Sequence, residues 1–267
     1  MQCLGAEVLI DQQAVVETTR RRMRASEPVA RGGRLSFGDA LHLLKNRQKP
    51  GPGVPAYTRW VNRGLARYVA AGTYRLGVSP NGVTAISAAV SVAGLAVLLL
   101  VPRSVWVGLL VGVLLAAGYL LDSADGQVAR LSGRSSRAGE WLDHVVDAIR
   151  MPAFHLSTLV ALYLSDVDSW VLVLPLLYAL VTTGQFFSQI LAEQLAEAGS
   201  KPTPRRGQSL FLLPIDTGVL CWIFILWGLP TMFIAAYGLL LVLNFAHSAV
   251  SMRRRFRQLN VPTAGRP

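Results

Sequence analysis

Asp122-Ser123-Ala124-Asp125-Gly126-Gln127-Val128-Ala129-Arg130, then Gly139, Asp143 and Asp147, forms the pattern D-x2-D-G-x2-A-R-x8-G-x3-D-x3-D. Some of the most apolar sequence in the chain surrounds it. Carboxylates in such company are costly, at roughly 2.5–3.5 kcal/mol each near a bilayer centre and less near its edge. Four of them need a compensating partner. A divalent metal bound to a polyphosphate substrate is a natural one.

Outward from this stretch, six apolar segments lie at about 82–101, 105–122, 140–164, 169–192, 209–228 and 230–251. Each is close to the roughly 20 residues that cross a hydrocarbon core. A backbone in lipid must satisfy its own hydrogen bonds, so the segments are expected to be helices. The predicted fold is an all-α integral membrane protein with six transmembrane helices. The composition agrees, with 52% hydrophobic and 15% charged residues among 267; an ordinary soluble domain is less apolar. The net charge of +11 comes from Lys and Arg placed between apolar runs. That placement speaks for orientation in a bilayer and against nucleic-acid binding.

Arg130, Arg134 and Arg137 fall in one connection, Lys201, Arg205 and Arg206 in another, and Arg253, Arg254, Arg255 and Arg257 near the C-terminus. The alternate connections are short and poor in basic residues. The positive-inside rule then puts both termini and the aspartates in the cytoplasm. Cys3 and Cys221 suggest neither a disulfide framework nor a zinc site.

Residues 1–53 read as a basic, partly ordered N-terminal segment, with a short helical pattern opening at Ser36-Phe37-Gly38-Asp39. Over 54–78, Tyr57, Trp60, Val61, Leu65, Tyr68 and Val69 recur at helical spacing among arginines. This predicts an amphipathic helix in the membrane interface. Residues 79–252 would hold the six-helix domain, and 253–267 a basic tail.

Asp122 and Asp125 stand at i, i+3, and Asp143 and Asp147 at i, i+4, so each pair shares one helix face. Four convergent carboxylates make a hard oxygen site suited to Mg2+ or Mn2+. Two ions there would serve phosphoryl transfer. Gly126 and Gly139 leave room for a ligand or for another helix. Arg130 has a donor fork that suits a phosphate or a carboxylate.

At these residues the chain resembles the CDP-alcohol phosphotransferase (phosphatidyltransferase) family, with all eight motif positions matching. The likeness extends over roughly 55–252 and includes Ser79-Pro80-Asn81-Gly82-Val83-Thr84. It implies a membrane transferase that moves a substituted phosphate from a CDP-alcohol, most simply CDP-diacylglycerol, to a hydroxyl acceptor with release of CMP. The implied setting is phospholipid biosynthesis in a bacterial plasma membrane, with a homodimer as the usual assembly. Carried over by position, Asp122, Asp125, Asp143 and Asp147 would be metal ligands. Asp147 would be the base, with Asp143 beside it. Gly126, Ala129 and Gly139 would line the cytidine diphosphate pocket, and Arg130 would support the donor phosphates.

Acceptor contacts are expected from Arg205 and Arg206, and from Asp216 inside an apolar segment. Arg205 and Arg206 also suit a bilayer anchor, and Asp216 also suits pairing with a neighbouring helix. Family members that use inositol phosphate carry a basic cluster at the end of the fourth span. Here that position reads Gln189-Ile190-Leu191-Ala192-Glu193-Gln194. Two other readings compete: a cation transporter built on the acidic cluster, and a catalytically silent membrane scaffold. The one-sided placement of the carboxylates opposes the first, and the full carboxylate set opposes the second.

Overall fold

The structure is a computed structural model and describes residues 35–48, 53–195 and 208–260. These residues are helical with short connections. Five helices are long and apolar enough to cross a membrane. They are α3 (Pro80–Leu100), α4 (Val105–Ser132), α5 (Arg137–Tyr163), α6 (Val173–Leu195, entered through a 3-10 turn at Ser169–Leu172) and α9 (Pro230–Leu259). Before them come α1 (Phe37–Asn46), a π-helical turn at Tyr57–Asn62, and α2 (Arg63–Leu76).

Local chemistry starts and stops these elements. Ser36 caps α1 by accepting from the Asp39 amide. Ser79 caps α3 at the Gly82 amide, with Pro80 in the first turn, where its missing N–H costs nothing. Gly133, at φ 66°, closes α4 in the left-handed conformation that glycine adopts without steric penalty.

Two expectations change. The second apolar segment does not end at Asp122. Its helix continues to Ser132, so residues 123–132 extend α4 and are not a loop. The segment at 209–228 is not one continuous helix. It is divided into α7 (Gln208–Phe211), a 3-10 turn at Leu213–Ile215, α8 (Thr217–Ile223) and a 3-10 stretch at Phe224–Gly228. Pro214 cannot donate to a helical ladder. Asp216 caps α8 and restarts the helix there. The resulting apolar helical stretch, Thr217–Gly228, is shorter than the five spans.

The core is in two parts. The larger joins Phe154, Leu162, Tyr178, Phe224, Trp227, Phe233 and Tyr237 through the middle of the bundle. The smaller packs Ala40, Leu44, Ala66, Ala70, Ala71 and Val83 onto Ala124, Val128 and Leu131. It seats α1 and α2 against the motif end of α4. Facing away from it, the π-helical turn carries exposed Trp60 and Val61, and α2 carries exposed Leu65 and Tyr68. These are most of the apolar positions predicted to meet a membrane interface.

Small residues let the helices approach. A Cβ at Gly118 of α4 would lie 2.3 Å from Ser91 Oγ of α3. Ser87 Oγ donates to the Gly118 carbonyl across the same contact, at 2.8 Å. Much of the outer surface of the span-length helices is large and apolar, including Val92, Leu180, Leu239 and Val242. That is the surface a bilayer solvates. Trp227 is buried, with the Arg103 guanidinium 4.4 Å from its ring centre.

Candidate active site at the motif end of the bundle

Extending α4 to Ser132 carries the first half of the motif on one rigid helix. The capped start of α5 carries the second, with Ser136 accepting from the Gly139 amide. Asp122, Asp143 and Asp147 converge, with one oxygen from each lying within 4.8 Å of the others. Three carboxylates at this spacing fit a hard divalent cation.

Asp125 sits apart from that trio and is buried. Thr84 Oγ1 of α3 donates to its Oδ2 at 2.6 Å, and the Gly126 amide donates to its Oδ1. The Thr84 bond fixes the carboxylate in rotation as well as in place.

Beside the trio lies a cleft of about 400 Å³. Its walls include Asp125, Gly126, Ala129, Arg130, Gly139 and Asp143, so all four residues expected at the nucleotide line one cavity. Asp143 belongs both to the cleft and to the trio. Asn81, Thr84, Arg134, Ser136, Arg137 and Glu140 complete much of the rest. The small residue at 139 has a visible reason. A Cβ there would lie 3.2 Å from both Asn81 Oδ1 and Ser136 Oγ, so glycine lets the start of α5 close on α3.

Sequence reading treated Arg134 and Arg137 only as orientation charges, and gave Thr84 no separate part. Nothing in their spacing relative to the aspartates marks them; they reach the cleft because α4 ends in a tight left-handed turn. Arg150 was also passed over. It donates to Asp122 Oδ1 at 2.7 Å and to Asp147 Oδ1 at 3.2 Å.

The acceptor candidates fare differently. Arg205 and Arg206 lie outside the described residues. Asp216 is buried, and both of its oxygens are engaged. Oδ2 accepts from the Thr58 amide at 2.7 Å, and Oδ1 accepts from Thr58 Oγ1 at 2.7 Å and the Gly218 amide at 3.0 Å. Thr58 Oγ1 also lies 2.6 Å from Tyr119 Oη. Asp216 therefore ties the π-helical turn to the broken segment and to α4, which is the pairing alternative. His155 packs inside the bundle, stacked on Tyr178 with Nδ1 2.6 Å from Tyr237 Oη. Asn244 joins α9 to α6 by donating to Tyr178 Oη at 2.8 Å.

The family model for CDP-alcohol phosphatidyltransferase matches residues 77–250. The chain belongs to this family. It is a phosphotransferase enzyme of the membrane, and the family's setting is phospholipid synthesis. No curated sequence matches the chain. Solved structures that share the fold include two of phosphatidylinositol phosphate synthase (PgsA1) from Mycobacterium tuberculosis. One, with CDP-DAG bound, is 20% identical with a TM-score of 0.54, covering 78% of this chain and 98% of that one. The other, in complex with manganese and citrate, is 23% identical with a TM-score of 0.53, covering 74% and 91%. Members of the family use divalent metals, and the aspartate trio is a site able to hold one.

Proposed function

We propose that this chain transfers the phosphatidyl group of CDP-diacylglycerol to a hydroxyl of a polyol or polyol phosphate, releasing CMP. The observation that carries the reading is the continuity of the cleft and the trio through Asp143. A nucleotide diphosphate held among Gly126, Ala129 and Gly139 would extend its phosphates toward Asp122 and Asp147. Arg130, Arg134 and Arg137 would supply fixed positive charge to the diphosphate. The relative that contains CDP-DAG supports a lipid-linked donor.

In the reaction, the acceptor oxygen forms a bond to the phosphorus that bears the lipid alcohol. The bond from that phosphorus to the bridging oxygen breaks, and CMP leaves with this oxygen. Asp147 takes the acceptor's proton, since a hydroxyl is a weak nucleophile until a base acts on it. Asp125, locked by Thr84, and Asp143 would orient the donor's diphosphate only through the cations they would hold. Asp122, Asp125, Asp143 and Asp147 would hold two Mg2+ or Mn2+ ions, whose chemistry is to neutralise phosphate charge as it shifts to the leaving group.

In this reading residues 79–252 form the catalytic domain and 54–78 the interfacial helix. Residues 1–53 and 253–267 are basic flanks. The protein works as a homodimer in a bacterial plasma membrane, with the cleft and both termini on the cytoplasmic side. Arg205 and Arg206 are the proposed contacts for a phosphorylated acceptor.

Asp147→Asn tests the assignment of the base. The variant is expected to bind CDP-diacylglycerol within about threefold of the parent and to lose turnover by at least the roughly 10²–10⁴-fold that general base catalysis contributes. Near-normal turnover in this variant would remove Asp147 from the chemistry.

A further inference from the structure

Arg150 lies outside the motif, three residues beyond Asp147, yet it touches the centre more closely than any other cation among the described residues whose contacts are resolved. One nitrogen, Nη1, donates to Asp122 Oδ1 at 2.7 Å and to Asp147 Oδ1 at 3.2 Å. The other, Nη2, donates to Ser87 Oγ at 2.9 Å. Ser87 in turn donates to the Gly118 carbonyl. A single guanidinium from α5 thus reaches α3 directly and holds one oxygen of an aspartate on α4 and one on α5. It is 6% exposed, so it cannot relax into water.

Three carboxylates within 4.8 Å repel one another. An arginine at contact distance offsets that repulsion with a charge it does not lose, one arm of its planar fork serving both carboxylates while the other reaches Ser87. It takes one oxygen of Asp122 and one of Asp147, which leaves each carboxylate its second oxygen.

Resting on the metal-dependent transfer above, we propose that Arg150 is the resident counter-ion of the metal centre. It aligns Asp122 with Asp147 and, through its charge, holds the centre's affinity for divalent cations down. It is a positioning residue, acting through the two aspartates. Its two contributions separate by substitution. R150Q removes the charge and keeps hydrogen-bonding capacity. R150K keeps the charge as a point donor that cannot span both carboxylates and Ser87. S87A leaves the charge and frees the guanidinium from its anchor on α3.

The test is Mn2+ titration of the purified full chain without donor, following free Mn2+ by electron paramagnetic resonance. A unit charge at contact distance in partly buried surroundings outweighs a factor of ten in binding, so R150Q is expected to bind Mn2+ roughly tenfold or more tightly than the parent. R150K should remain within about threefold. S87A should bind about two- to threefold more tightly. In CMP release, R150Q should lose kcat far more than it changes KM for the donor, and R150K should recover part of the loss. Parent-like or weaker Mn2+ binding by R150Q overturns the proposal. If R150Q does not fold, unchanged or weaker binding by S87A overturns it instead. A parent that releases CMP with bound Mn2+ while R150Q shows no shift removes this inference alone. A parent that binds no Mn2+ removes the metal centre and the inference together.

Discussion

Replacing Asp216 with alanine separates two roles for a buried carboxylate. Asp216 is 2% exposed and accepts three hydrogen bonds, from the Thr58 amide, Thr58 Oγ1 and the Gly218 amide. Bonds to a charged acceptor contribute about 1.5–3 kcal/mol each. The Gly218 bond is also the N-cap of α8, and loss of such a cap alone costs about 0.5–2 kcal/mol. Simple addition overshoots, because the Thr58 hydroxyl keeps Tyr119 as a partner. A net loss of about 3 kcal/mol is expected. For a chain of this size that lowers Tm by roughly 6–12 °C, at about 2–4 °C per kcal/mol.

The assay is thermal unfolding of the purified protein in detergent, with CMP release measured on the same samples well below Tm. Asp216→Ala should unfold early and, while folded, retain most of its turnover. Thr58→Val should lose less stability. The double variant should lose less than the sum of the two, because both changes break one network. An Asp216→Ala protein with the parent's Tm and no activity would show that Asp216 is not a structural tie. It would return Asp216 to the acceptor site.

Thr84→Val removes the hydroxyl that fixes Asp125 and leaves a buried carboxylate oxygen unpaired, a loss of about 1–3 kcal/mol. If that loss falls on the transition state, kcat/KM for the donor drops roughly ten- to hundredfold, with rescue by Thr84→Ser, as steady-state CMP release would show. Gly139→Val places side-chain atoms where a Cβ already sits 3.2 Å from Asn81 and Ser136, and it narrows the cleft. Overpacking costs about 1–3 kcal/mol, so donor affinity should fall about tenfold or more in a direct binding titration. Gly218→Ala would put a Cβ 2.1 Å from the Tyr57 ring, so Tm should fall by several degrees with little change in donor KM.

The aspartate motif and the apolar segments were legible in the sequence because both are local. The i, i+3 and i, i+4 spacings place carboxylates on helix faces wherever the helix lies, and hydropathy marks span-length helices without tertiary knowledge. The helical start at Ser79-Pro80 was legible for the same reason. What was hidden depends on long-range pairing. Thr84 meets Asp125 across 41 positions, and Ser87 meets Arg150 across 63. Neither Thr84 nor Ser87 carries a local signal for these contacts, and Arg150 stands outside the motif spacing.

The division of the 209–228 segment was half visible. Pro214 marks a break, but only the amide and hydroxyl of Thr58, 158 positions away, show why a carboxylate is buried there. The length of α4 was misjudged because hydropathy falls at Asp122 although helix propensity does not. Ala124, Gln127, Val128, Ala129 and Leu131 continue a good helical sequence, and the smaller core buries most of one face of it.

The proposed reaction cleaves the diphosphate of a CDP-linked lipid in this cleft. The direct measurement is CMP release by the purified parent from CDP-diacylglycerol, with Mg2+ or Mn2+ and a panel of inositol, inositol phosphate, glycerol phosphate, serine and phosphatidylglycerol. The expected result is CMP and lipid product in equal amounts with at least one acceptor, abolished by chelator and restored by adding back either ion. Absence of CMP with every acceptor and both ions, from protein shown to be folded, would mean that the cleft does not carry out this transfer.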